Sequence, residues 1–182
     1  MEDPEVEYRL ATEDDTIAIA DLHAESWRLH YRGAYSDEFL DDEVVPERRK
    51  VWAQRFSSSR SGTSTVVALT GGVIVGFVHT VFHNDPKWGA LLDNLHVRAD
   101  LKRQGIGRAL VVESARSVIA DDASSALYLW VLEQNVAAQG FYRAQGGVDV
   151  ERVLAGPFPG GGRAWAHRYA WPEPATLCSP AD

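Results

Sequence analysis

The sequence predicts a mixed α/β (α+β) domain built on a central, mostly antiparallel sheet of about seven strands flanked by helices. Three observations lead there. Seven short β-rich runs are spread along the 182 residues. Three of them follow one another through short turns ahead of the first crossover helix, the pattern of antiparallel neighbours. Helical patterns then alternate with strands, so helices have sheet faces to cover.

Taken in order, VEYRLA (6–11) alternates and reads as the first strand. Thr12 or Asp14 is placed to cap the next helix, whose apolar positions Ile17, Ile19, Ala20, Leu22 and Ala24 carry a helical period. The pattern continues to Trp27 and Tyr31 and breaks at Gly33. Further helical stretches start near Ser36 and near Pro46, proline being favoured in a first turn. SSSRSGTS (57–64) is a polar loop. TVVAL (65–69) and VIVGFVHTVF (73–82), joined by Thr70-Gly71-Gly72, read as a hairpin, and GALLDNLHV (89–97) as a third strand. A helix to about Ala120, a strand at 125–133, a helix at 135–146 and strands at 148–155 and 163–171 complete the order. The last two strands are joined by GPFPGGG (156–162), and residues 173–182 are expected to be a disordered tail.

Composition excludes several classes. A net charge of −8 argues against nucleic-acid partners, which select a basic face, and mildly favours cationic ones. The single cysteine, Cys178, cannot form an internal disulfide. No basic-then-apolar leader and no apolar run near the roughly 20 residues of a membrane span is visible, so a cytoplasmic, non-membrane protein is expected. His79 and His83, four apart on one strand, would share a face, but no third ligand accompanies them and no metal site is expected. Asp37, Glu38, Asp41, Asp42 and Glu43 form an acidic helical face that reads as solvated.

DLKRQGIGRALV (100–111) combines a strand end, a basic loop with two glycines and a helix start. The first N–H groups of a helix lack internal partners and carry partial positive charge. Glycines at 105 and 107 let an anion approach the backbone, and Lys102, Arg103 and Arg108 add full charges. The nucleotide P-loop would require Lys-Ser/Thr after Gly107, where Arg108 and Ala109 stand, and the dinucleotide fingerprint would require glycine at Leu110. The segment alone leaves open a diphosphate cradle or a plain glycine-permitted helix entry.

LHVRADLKRQGIGRALV (95–111) resembles the acetyl-CoA-binding motif of the GCN5-related N-acetyltransferases, with Lys102 where that family usually carries Gln or Arg and Arg103 where glycine is frequent. Independently, LWVLEQNVAAQGFYRAQGG (129–147) resembles the family's second cofactor motif, and WRLHYRGAYSDEFLDD (27–42) a first-helix segment of bacterial members. The resemblance implies the acyl-CoA N-acyltransferase fold over residues 1–172, in which the strands holding 91–97 and 126–133 run parallel and splay apart around the pantetheine arm. It implies that Leu95, His96 and Val97 pair with that arm, with the Val97 N–H facing the thioester carbonyl. Residues Lys102, Arg103, Gln104, Gly105, Ile106, Gly107 and Arg108 would hold the diphosphate. Asn135 would bond the pantetheine amides, and Ala138 and Phe141 would shape the wall.

The resemblance further implies transfer of acetyl to a primary amine of a small molecule or peptide by direct attack. Tyr142 matches the family's general acid for the departing thiolate. Asp93, where many members carry an acid, is the first candidate for the base, against a purely structural carboxylate. Strand alternation puts it on one face with Leu95 and Val97. His96 and Glu25 are lesser candidates. Trp27 and Tyr31, with His30 and Tyr35, are candidates for the amine pocket, against a core role. A protein N-terminal acetyltransferase and a non-catalytic acetyl-CoA sensor remain as alternatives, and the assembly is expected to be a monomer or homodimer.

Overall fold

The computed structural model describes residues 5–58 and 61–179. Among them seven strands form one sheet in the order β1-β2-β3-β4-β5-β7-β6. The strands are β1 (Val6–Leu10), β2 (Thr63–Thr70), β3 (Val73–Asp85), β4 (Gly89–Val97), β5 (Leu127–Leu132), β6 (Val148–Ala155) and β7 (Ala164–Trp171). All neighbours pair antiparallel except β4 and β5. The β2–β3 turn places Gly71 and Gly72 at φ 57° and 78°, the left-handed pair that a two-residue hairpin needs.

Helices α1 (Thr16–His30) and α2 (Val44–Ser57) cover one face, and α3 (Ile106–Asp121) and α4 (Val136–Ala144) the other. On the α1/α2 side, Ile19, Ala20 and Leu22 meet Trp52 and Phe56 over Val67, Leu69 and Phe77. On the α3 side, Leu110, Val111, Ala115 and Val118 pack on Val66, Val78, Leu92, Leu127 and Leu129. Gly76 of β3 permits that contact, because a Cβ there would stand 3.1 Å from both the His96 carbonyl and Leu110.

Several local expectations are corrected. Of the two caps expected ahead of α1, Thr12 is the N-cap of the 3-10 turn Glu13–Asp15 that runs into the helix, and Asp15 completes the capping box. Its carboxylate accepts the Thr12 N–H at 2.7 Å and a fork from Arg9 at 2.7 and 2.9 Å. These bonds hold its pKa down at about 2. The stretches expected near Ser36 and Pro46 merge: a π-helical turn, Phe39–Glu43, runs straight into α2, and Pro46 is its third residue. That turn lets Phe39, Leu40 and Val44 all reach one apolar cluster. His79 and His83 do not share a face. An irregularity between Val81 and Asp85 and a left-handed His83 (φ 51°) turn His83 toward Asp121 of α3, while His79 packs on Trp52 of α2.

The expected disordered tail is in part ordered. Pro174–Cys178 forms a 3-10 turn with Pro174 and Leu177 buried, Leu177 in the α3 cluster. Two apolar side chains among prolines have a place to go that composition does not show. Residues 180–182 of that tail lie outside the described residues. Leu177→Ala should therefore lower the unfolding free energy by about 2–5 kcal/mol in urea titration, as for other buried leucines, where an unpacked tail would give no change.

Candidate active site

The site begins with one extra residue in β4. His79 of β3 faces Asn94 and Thr80 faces Leu92, so Asp93 has no cross-strand partner on β3. Such a bulge bends its strand and reverses the alternation of side chains beyond it. Leu92 and Leu95 accordingly both pack toward α3, while Asp93 and Asn94 both turn to α2 and meet Arg55 at 2.6 and 2.7 Å. Asp93 thus lies opposite to Leu95 and Val97, against the simple alternation read from the sequence. Parallel pairing of β4 with β5 is limited to Ala90–Leu127 and Leu91–Tyr128. Beyond it the strands separate.

The gap opens into a cleft of about 400 Å³. Its floor is Leu95, His96 and Val97, one wall is Asn135, Ala138, Phe141 and Tyr142 of α4, and its mouth holds Lys102, Arg103, Gly105, Gly107 and Arg108. The positions the sequence singled out for the cofactor are brought together, with two exceptions. Gln104 does not line the cleft, nor does Ile106, whose side chain is 2% exposed and buried under Gly76, so only its backbone is available to a ligand. The mouth is the N-terminus of α3. Arg103 and Gly105 are left-handed at φ 66° and 83°, a tight turn that directs the first N–H groups of the helix outward.

His30, one of the pocket candidates, lines the cleft, as do Ser26, Leu101 and Ala137, which were not anticipated. Lys102 donates to His30 Nε2 at 3.0 Å, which brings the C-terminus of α1 to the mouth. Burial and Lys102 lower the His30 pKa, favouring the neutral ring that accepts this bond. Asn135 is the N-cap of α4, its Oδ1 accepting the Ala138 N–H at 3.2 Å, so its first task is to aim the helix that carries Tyr142.

His96 crosses to the α1 side, where its Nδ1 is paired with Ser26 Oγ at 2.7 Å and its ring lies 4.6 Å from that of His23. Trp52 Nε1–H donates to His23 Nδ1 at 3.0 Å, leaving the His23 proton on Nε2. Desolvation holds His96 down at about 3 and His79 at about 4, and lowers His23 strongly. A ring so hard to protonate makes a poor base near neutrality, which sets His96 aside for that role. Burial pushes the Tyr142 phenol well above its ordinary range, with Tyr31 the next contributor. Tyr31 is itself raised to about 12 by burial and then by Asp93, so these three groups share one region.

Trp27 does not line the cleft: it is 9% exposed, under the Arg48 guanidinium at 4.1 Å and against Tyr31 and Tyr35. Its role is core packing, as aromatics at helical spacing more often have. Tyr31 lies at the end of α1, between the clusters of α1–α2 and of β5–β7.

A model of the acetyltransferase (GNAT) family matches residues 17–146. The chain belongs to this family. It is 28% identical over 176 residues to the uncharacterized N-acetyltransferase YuaI of Bacillus subtilis, covering 94% of this chain and 96% of that protein. It is 29% identical over 148 residues to a probable N-acetyltransferase of Mycobacterium tuberculosis, covering 78% and 79%. The fold is shared with the crystal structure of PaiA N-acetyltransferase from Thermoplasma acidophilum in complex with coenzyme A. There the TM-score is 0.71 at 19% identity, with 92% of this GNAT chain and 99% of that one covered.

Two predictions follow from the charge and backbone of this acetyltransferase site. His79 and His96 have folded pKa values below the unfolded 6.5, so the unfolded chain takes up protons first and stability falls as pH drops from 6.5 toward 4. Each contributes up to about 1.4 kcal/mol per pH unit, and His96→Gln should flatten the decline seen in urea titrations at pH 7, 6 and 5. Gly105→Ala forces a side chain into φ 83° at the cleft mouth. It should cost about 1–2 kcal/mol of stability and raise the KM for acetyl-CoA in steady-state assays.

Proposed function

We propose that the protein moves the acetyl group of acetyl-CoA to the primary amine of a small molecule or peptide by direct attack in a ternary complex. The observation that carries this reading is the cleft between the separated ends of β4 and β5, with the α3 N-terminus and three cations at its mouth and Tyr142 in its wall. A volume of about 400 Å³ suits an extended pantetheine arm, and the mouth suits a diphosphate. Acetyl-CoA supplies an activated acyl carbon and a thiolate leaving group. Lys102, Arg103, Arg108 and the backbone of 103–108 would hold the diphosphate, and Leu95, His96 and Val97 the arm. The Val97 N–H is the candidate donor to the thioester oxygen, where negative charge grows in the transition state.

Two protons move. The acceptor ammonium loses one before its nitrogen attacks, and the sulfur gains one as the carbon–sulfur bond breaks. Burial disfavours the Tyr142 phenolate, so the phenol carries its proton across the working pH range. The same burial makes it a weaker acid, and its donation is driven by a thiolate generated in the same desolvated surroundings, which raise the sulfur's proton affinity as well. Asp93 receives the proton of the acceptor, directly or through water. A single bond from Arg55 Nη2 at 2.6 Å, with Nη1 given to Asn94, fixes the carboxylate on the α2 side of the sheet.

Thiol release from acetyl-CoA across an amine panel tests the reading. Tyr142→Phe should lower kcat by about 10²–10³ while leaving the KM for acetyl-CoA within a few-fold. Unchanged turnover in that variant would remove Tyr142 as the acid. Acetyl-CoA binding with no turnover of any amine would favour a sensor, and absence of binding would overturn the proposal.

A further inference from the structure

On the α1/α2 side of the sheet, the helical cover lies over β2 and β3 and reaches β4. Trp130 lies beyond it. It stands in the middle of β5, an interior strand, and is 37% exposed, while Leu129 and Val131 beside it are buried. The ring is fixed from its neighbour strand. Arg168, its partner on β7, holds its guanidinium 4.4 Å from the Trp130 ring centre, 4.7 Å from Tyr128 and 5.1 Å from Trp88. Arg168 is in turn tied to Glu151 at 2.9 Å and Asp85 at 3.5 Å. A tryptophan this well held, on the face of Asp93 and with part of its surface open, is a rigid apolar platform.

Its position relative to the gap is set by register. Leu91 faces Tyr128, so with the bulge counted Asp93 and Asn94 come level with Trp130. Leu95–Val97 lie up to three or four residues further, on the order of 10 Å. At that far end the molecule is closed. Phe158 of the β6–β7 loop stacks on Tyr35 at 4.8 Å and 18°. A Cβ on Gly160 or Gly162 would stand 2.1 Å from Ser36 Oγ or from the Ala34 carbonyl. The two loops are in contact, leaving no slot for an extended polypeptide to pass between them.

We infer that Trp130 selects the acceptor, and that the acceptor is a compact primary amine joined by a short linker to an aromatic ring. The ring lies on Trp130, and the linker carries the amine from the level of Asp93 along the gap toward Leu95–Val97, where the acetyl group is expected. Asp85 and Glu151 are taken up by Arg168 and Asp93 by Arg55, so three carboxylates stand against two guanidinium groups, and the local balance of one negative charge has the sign of the chain's net −8. This inference rests on the acetyl-transfer reading above and narrows its acceptor.

The test compares 2-phenylethylamine, n-hexylamine, spermidine and a peptide with an internal lysine. Phenylethylamine should exceed hexylamine at least 10-fold in kcat/KM, and the peptide should be inert. Trp130→Ala should raise the KM for phenylethylamine 10-fold or more while leaving the hexylamine constants and the KM for acetyl-CoA within twofold, and Trp130→Phe should restore most of the loss. Equal effects on both amines, or a preference that survives Trp130→Ala, would overturn it. Calorimetry of phenylethylamine against the protein with coenzyme A separates the two claims. Binding lost in Trp130→Ala without any turnover would support the platform and sink the transfer reading, and no binding would sink the platform. A dimer dissolved by Trp130→Ala would also overturn it, by giving the ring to a second copy.

Discussion

β4 carries one residue more than β3 can pair with, and the site depends on that mismatch. Because Asp93 is the surplus, β4 bends away from β5 after only two paired positions, and the sheet opens in its middle rather than at an edge. The same bulge sends Leu95 to the α3 core and leaves His96 on the α1 side, where Ser26 receives it. It also turns Asp93 to Arg55. The cleft, its floor and the turn of Asp93 toward α2 are consequences of one backbone irregularity.

Charge is arranged around that opening by separation. An acidic chain concentrates Lys102, Arg103 and Arg108 at one helix N-terminus, where the helix itself adds partial positive charge. The interior beside it is the opposite, with His23 and His79 buried and His96 partly buried, all three hard to protonate around Trp52 and Phe77. The nearby Arg48 and Arg55 add to desolvation in keeping His23 neutral.

The face of the sheet opposite α3 is shaped by contacts between distant segments. Residues 34–36 meet 158–162, and Gln134 donates to the carbonyls of His30 and Arg32, so the ends of α1, β5 and β7 are fastened together. The half of the sheet beyond them is left to Trp88, Tyr128, Trp130 and Arg168. Closure at one end and an apolar floor at the other give the two faces of the sheet different chemistries, cationic at the N-terminus of α3 and aromatic with paired carboxylates on the opposite face.

The sequence by itself determined the strand and helix order, the Gly71–Gly72 hairpin, the basic helix entry at 102–108 and the helix over 135–146 that carries Tyr142. All of these are local: periodicity, turn chemistry and capping act over a few residues. What lay beyond it depended on which segments meet. The bulge at Asp93 is a property of two strands, and it reversed the face expected for that carboxylate. Leu177 is buried because α3 presents a place for it, and Trp27 is core because Arg48 and two tyrosines cover it. Ser26 and His30 reach the cleft only because α1 packs across β4. Burial, pairing register and proximity across the chain are collective outcomes of packing, and no local pattern encodes them.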